Sequence, residues 1–220
     1  MRPPALAALP GWLRPLATAA AGVDARDLSR HAPPGAGARE SAVLVLFGAG
    51  PAGPDVLLIE RARELRRHPG QPAFPGGRVD PEDAGPVAAA LREAAEETGL
   101  DPGGVDVVTT LPRLFIPVSG FAITPVLAYW RAPSPVRVVD PAEVASVHRA
   151  PVAELVDPRH RLQVRHPSGY VGPAFRVRGL LVWGFTAGLL DRLLRLGGWE
   201  QPWGGGPVED LPAELLELPG

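Results

Sequence analysis

The stretch "GGRVDPEDAGPVAAALREAAEETGL", residues 76–100, decides the reading of this chain. Its second half has the spacing of one helix, with Pro86 near the first turn and Gly99 just past the last, the usual asymmetry of helix termini. On a helical wheel at roughly 100° per residue, Val87, Ala90, Leu91, Ala94 and Thr98 share one side, which should face a core. Glu93 and Glu97, four apart, stack along one edge of that stripe. Glu96 lies further round, one turn after Arg92, so the two form an i,i+4 pair of opposite charge. Carboxylates this close repel mildly, and those that border an apolar stripe need a partner. Two readings fit. One is a solvated acidic face with a surface ion pair; the other is a site for a hard cation such as Mg²⁺ or Mn²⁺, which takes oxygen ligands.

Just upstream, "LLIERARELRRHPGQPAFPGG", residues 57–77, gathers Arg61, Arg63, Arg66, Arg67 and His68 ahead of Phe74, Pro75, Gly76 and Gly77. Guanidinium groups can meet phosphates bidentately, and paired glycines let a backbone bend tightly and approach a ligand. All 22 basic residues of the chain are arginine, however, and asparagine is absent, a bias typical of GC-rich coding. A single surface arginine therefore carries less meaning here, and plain solvation is the ordinary reading of Arg63 and Arg67. His68 reads equally as a hydrogen-bonded loop residue.

Residues 76–100 resemble the Nudix box, the loop–helix–loop signature of the Nudix hydrolases. Arg92, Glu93, Ala94, Glu96, Glu97, Gly99 and Leu100 match its second half throughout. In the first half Gly77 stands one residue further from Arg92 than is usual, and Ala84 occupies the acid position with Asp83 beside it. That irregularity is similar to one subfamily, the coenzyme A pyrophosphatases, in which "DPxD" follows the two glycines as Asp80-Pro81-Glu82-Asp83 does here. Gly85 stands where that subfamily often has a further acid. The upstream segment resembles the same subfamily's signature at Arg61, Ala62, Arg66, Gly70, Phe74, Pro75, Gly76 and Gly77, with Ile59 where threonine is common.

The resemblance implies an α+β chain with the Nudix fold, an α/β/α sandwich around a mixed sheet. It implies Mg²⁺- or Mn²⁺-dependent hydrolysis of the diphosphate bond of coenzyme A or its derivatives to 3′,5′-ADP and 4′-phosphopantetheine. Carried over residue by residue, Glu93 and Glu97 would hold the metal, with Glu96 as a further ligand. Glu96, Glu97 and Arg92 would form the catalytic group, Arg92 orienting a carboxylate. Which glutamate takes the proton stays open, with Glu143 as an alternative. Arg61, Arg66, His68, Gly76 and Gly77 would bind substrate, and Phe74 and Pro75 would pack the loop. "PVSG", Pro117 to Gly120, is a turn whose Ser119 would lie near substrate. Another nucleoside diphosphate derivative, such as ADP-ribose or a dinucleotide, remains a second reading. A catalytically silent ligand sensor is a third, but it calls for a degenerate box, and Glu93, Glu96 and Glu97 are all intact.

Composition narrows the alternatives. The chain has 220 residues, enough for one sizeable core, and a net charge of −2 gives no reason to expect nucleic acid or an acidic membrane as partner. Cysteine is absent, which excludes disulfides, thiolate metal sites and cysteine nucleophiles and fits the cytoplasm. No run reaches the ~18 apolar residues of a membrane helix. The expected partner is a small molecule, coenzyme A or an acyl derivative; a homodimer stays open.

The expected layout is an N-terminal helix and linker over residues 1–38, a hydrolase domain over 39–200 and a Pro/Gly-rich tail over 201–220. The first helix should run from about Pro10 to Ala21. Strands are expected at Ala42 to Phe47, "PDVLLIERA", "VDVVTTL", "RLFIPV" and "FAITPVLAYW", then a strand and short helix in "DPAEVASVHRAPVAEL". "YVGPAFRVRGLLVWG" adds strand character, and "WGFTAGLLDRLLRLG" reads as an amphipathic helix. Trp183 and Phe185 read as core, while Trp199 and Trp203 either cap an apolar pocket or cover a loosely ordered tail.

Overall fold

The computed structural model describes residues 4–29, 37–65, 68–117 and 120–216. Arg66, Arg67 and Ser119, singled out above, lie outside them. After a 3-10 turn at Leu6–Ala8 come two short helices, α1 (Arg14–Ala20) and α2 (Ala25–Leu28). Strands β1 (Arg39–Gly50), β2 (Gly53–Arg61), β3 (Pro72–Ala73) and β4 (Gly76–Arg78) precede the acidic helix α3 (Pro86–Thr98). Then come β5 (Val105–Thr110), β6 (Leu114–Ile116), β7 (Phe121–Trp130), β8 (Val144–Pro151) and helix α4 (Val152–Val156). The last part holds β9 (Arg161–Arg165), β10 (Val171–Val177), β11 (Leu180–Val182), helix α5 (Gly184–Leu196) and β12 (Val208–Asp210).

β1 is apolar on both faces because it is the centre of the main sheet. Val43, Val45 and Phe47 join one buried cluster, while Ala42, Leu44 and Leu46 join another. This alternation follows from the two-residue period of a strand. β1 pairs antiparallel with β2 and parallel with β7, so the sheet is mixed, in the order β3-β2-β1-β7-β5. β8 pairs with β2, β4 with β1 and β6 with β7. On one face, Ala89, Ala90, Leu91 and Ala94 of α3 pack on Ala42, Leu44, Leu46 and Leu57. On the other, Leu16 and Ala20 of α1 and Leu189, Leu190 and Leu193 of α5 pack on Val43, Val45 and Phe47. The result is the expected α/β/α sandwich. A second sheet, β11-β10-β9-β12, lends Phe175, Val177 and Val182 to the same core as α5. Among the described residues no helix is long and apolar enough to cross a membrane.

Two segments differ from their sequence reading. The first helix begins at Arg14 rather than near Pro10, since Pro15 suits its first turn and Arg14 folds back to donate to Leu9 O at 2.9 Å. Leu9, Leu13, Leu16, Ala17, Ala20 and Leu28 all belong to the central cluster, so this stretch supplies a layer of the sandwich. The tail, expected to be loosely ordered, forms β12, which runs parallel to β9 and is pinned by Arg165–Asp210 and Arg176–Glu209 ion pairs. Trp199 covers core, lying 5.5 Å from the Phe47 ring and 6.3 Å from Trp12.

Candidate active site

α3 lies against β1 and β4, which brings its acidic edge to the glycine pair. The helix ends where Gly99 turns left-handed, at φ 69°. Within it Glu97 is buried, at 3% exposure, and its Oε2 accepts a hydrogen bond from Gly76 N at 2.9 Å. Gly76 has φ 156°, and a Cβ there would sit 2.3 Å from Ala42 O, so β4 can lie on β1 only with glycine at this position. At Gly77 a Cβ would fall 2.2 Å from Glu93 Oε1. The glycine pair thus admits close approach, and what approaches it are the protein's own carboxylates.

Arg92 organises the loop between β4 and α3. Its Nε and Nη2 reach Asp83 at 3.2 and 3.0 Å, Nη2 also donates to Arg78 O at 3.1 Å, and Asp80 stands 3.3 Å away. Nη1 meets Glu93 Oε1 at 3.2 Å and Glu96 Oε2 at 3.0 Å. Asp83, beside the acid position of the box, is therefore the carboxylate that the arginine grips bidentately. The Arg92 hydrogen bond holds the Asp83 carboxyl below the usual range, and that same bond pushes the guanidinium up.

The glutamates are not equivalent. Burial pushes Glu97 up to about 8, against the opposing pull of the Gly76 N–H and of Arg61, with Glu93 and Glu143 adding negative charge. Burial also raises Glu93, opposed by Arg92. Glu96 is turned outward, 57% exposed, and is held only by Arg92 among these residues. Arg61 brings its guanidinium to 4.0 Å from Glu97 Oε1. Glu143 is exposed, and its carbonyl accepts from Ala62 N at 2.9 Å. His68 adopts φ 55° and its Nδ1 lies 3.0 Å from Gln71 Oε1, a loop-forming bond. Phe74 is buried in the central cluster and Pro75 O accepts from Leu44 N, so both fix the loop.

The structure therefore brings together Glu93, Glu97, Arg92, Arg61, Gly76 and Gly77, and leaves Glu96 on the rim. Sequence reasoning missed the Gly76 N–H as the partner of Glu97, and missed Asp80 and the Arg78 carbonyl as partners of Arg92. Backbone partners leave no residue-type signal.

The family model described as the NUDIX domain matches residues 38–170, more than half of the chain. The chain belongs to the Nudix hydrolase family. It is 42% identical over 167 residues to Nudix hydrolase NudL of Cronobacter sakazakii, covering 72% of this chain and 83% of that protein. It is 38% identical to NudL of Escherichia coli K12 over the same length and coverage. Among solved structures, the Nudix hydrolase RenU of M. Smegmatis matches with a TM-score of 0.53 and 22% identity, over 73% of this chain and 86% of that one, a likeness of fold. Nudix hydrolases act on pyrophosphate bonds and generally use divalent metal ions.

The residues present fit such an ion. Glu93 and Glu97 are carboxylates one helical turn apart whose ionised forms burial disfavours, and a cation on them would compensate that charge. Among the described residues no three acidic or histidine side chains converge into a ready-made cage. Mg²⁺ is commonly held by one or two carboxylates plus water and substrate oxygens, so a two-glutamate cradle suits it.

Proposed function

We propose that this Nudix hydrolase cleaves the diphosphate bond of coenzyme A or a derivative to 3′,5′-ADP and 4′-phosphopantetheine, with Mg²⁺ or Mn²⁺. The observation that carries the reading is the 4.0 Å approach of Arg61 to Glu97. Arg61 belongs to the upstream pattern that resembles the coenzyme A signature, and its approach to a carboxylate of the box supports the reading. A divalent cation on Glu93 and Glu97 would supply charge for diphosphate oxygens and lower the pKa of bound water. The protein's own groups do the rest. Arg92 fixes the loop of residues 80–83 and the rotamer of Glu93, Gly76 N–H orients Glu97, and Arg61 offers donors to a substrate phosphate beside it. A diphosphate repels nucleophiles by its own charge, so positioned cations and an oriented water account for the chemistry asked of such a site. Without a cation, burial pushes Glu97 up to about 8, so its ligand role would depend on the cation's own charge favouring the ionised carboxylate.

The test is mass spectrometry of products after incubation with Mg²⁺ in ¹⁸O-water, offering coenzyme A, ADP-ribose and a dinucleotide side by side, with Glu97→Gln in parallel. Label in one product of coenzyme A, lost in the variant, is the expected result. Turnover of the other substrates alone would sink the coenzyme A reading and keep the diphosphate chemistry.

A further inference from the structure

Residues 171–216 lie beyond the stretch that the family model matches, yet they reach back to residues 70–72, beside Arg61 at the end of β2. Thr186, in the first turn of α5 and 6% exposed, donates its hydroxyl to Pro72 O at 3.1 Å. Past β12, Leu211 is buried, and the 3-10 turn Ala213–Leu215 carries Leu215 onto the loop. There Gln71 Nε2 donates to Leu215 O at 3.4 Å, and a Cβ on Gly70 would lie 3.6 Å from Leu215 Cδ2.

Gln71 is the joint. Its side-chain oxygen meets His68 Nδ1 at 3.0 Å, and its main-chain carbonyl accepts from Arg61 N at 3.1 Å. A path of direct contacts runs from Leu215 through Gln71 to Arg61 and on to Glu97. The loop needs such help. His68 at φ 55° and Gly70 at φ 64° are left-handed, and the former is a sparsely populated state for a residue with a Cβ. A conformation like that persists where surroundings over-determine it.

We propose that segment 211–216 and the start of α5 form a brace for this loop, with Gln71, Thr186 and Leu215 as positioning residues that hold Arg61 over Glu97. The inference rests on the hydrolytic reading of the site and adds to it Thr186 and Leu215, which lie outside the matched stretch. A displacement of ~1 Å in a substrate-positioning group can cost orders of magnitude in rate, so a brace of this kind acts on turnover without touching substrate.

The experiment uses full-length Gln71→Met, Thr186→Val and Leu215→Ser proteins, each alone and combined with Arg61→Ala. It reads kcat and KM on the best diphosphate substrate of the wild type, the melting temperature, and hydrogen exchange of the described residues between 60 and 73. Each single change should lower kcat/KM about 5-fold, with little change in melting temperature. In the Arg61→Ala background these losses should shrink below about 2-fold, because the brace acts through that arginine. Exchange in the loop should rise while α3 and β1 stay protected. Equal losses with and without Arg61 would overturn the proposal, and so would unchanged exchange in all three variants. Exchange needs no turnover: a wild type inactive on every diphosphate would refute the hydrolytic reading, while the loop's protection still decides the brace.

Discussion

Two arginines each tie distant segments together through carboxylates, in very different surroundings. Arg92, 30% exposed, grips Asp83 at 3.0 and 3.2 Å and steadies Glu93 and Glu96 at the mouth of the site. Arg161 of β9 is fully buried, lies 4.3 Å over the Trp203 ring and 5.1 Å over Phe175, and pairs with Asp191 of α5 and with Glu200 at 3.6 Å. Water can replace much of what Arg92 offers energetically, so its value lies in geometry. Nothing can replace Arg161, because its removal would leave Asp191 buried with a weaker partner, Arg195 at 3.5 Å. The sandwich therefore separates a region that sets positions from a region that sets stability.

The sharpest break between the two regions should come from Glu97→Gln. It should lower kcat by about 10³- to 10⁴-fold, roughly 4–5.5 kcal/mol of transition-state stabilisation, while the melting temperature holds or rises. The rise follows because a neutral amide replaces a carboxyl that burial already pushes up to about 8. Activity within tenfold of wild type would remove Glu97 from the chemistry. In the region that sets stability, Arg161→Met should do the opposite. Urea denaturation should show a loss of about 3–4 kcal/mol, with kcat/KM of the folded protein within about 3-fold at room temperature. Adding Asp191→Leu should restore part of that loss, since the stranded charge is then gone. A collapse of kcat with an unchanged urea midpoint would erase the division.

The same contrast governs what could be read from the sequence. α3 was legible to within about a residue at its start, because Pro86, Gly99 and the apolar period all agree. β1 was legible as a strand from its apolar run Ala42 to Phe47, but not its extension to Arg39 and Gly50 nor its burial on both faces. Arg92 was legible through its spacing to Glu96, but its main grip is on Asp83, nine residues back across a loop, where no period applies. β9 and Arg161 were not legible at all. "RLQVR" alternates as a strand does but spans only five residues, and in a chain so rich in arginine a buried one looks like any other. α1 was placed within a few residues, yet its packing on α5 depends on contacts more than 150 residues apart in sequence. β12, a run of only three exposed residues, becomes a strand through its pairing with β9 rather than through its own pattern.

A pH series sharpens the electrostatic side of the comparison. With divalent cations chelated, folded Glu97 should keep its proton to about pH 8, while in the unfolded chain it titrates near 4.5. Between those values the native state binds more protons than the unfolded state, so stability falls as pH rises. The contribution is complete below about 4.5 and gone above about 8. Read as the difference between wild type and Glu97→Gln, which cancels the other carboxylates, it should amount to at most about 4–5 kcal/mol. Excess Mg²⁺ should flatten it, since a cation on the ionised carboxylate compensates its burial. A flat difference without Mg²⁺ would mean that Glu97 ionises freely where it lies.

The smallest expected effect tests Arg92 itself. Lysine at this position keeps the charge but offers a point ammonium in place of a planar fork, and cannot serve Asp83 bidentately while holding Glu93 and Glu96. Arg92→Lys should lower kcat/KM about 30-fold, near 2 kcal/mol, chiefly in kcat, with stability within about 0.5 kcal/mol of wild type. Asp83→Asn should give a similar loss, and the double variant should lose little more than either alone, because both act by docking the same loop on α3. Additive losses would mean that Arg92 serves the carboxylates of α3 independently of the loop. A stability loss on the scale of Arg161→Met with kcat intact would make Arg92 a strut, and the distinction between the two arginines would be one of exposure alone.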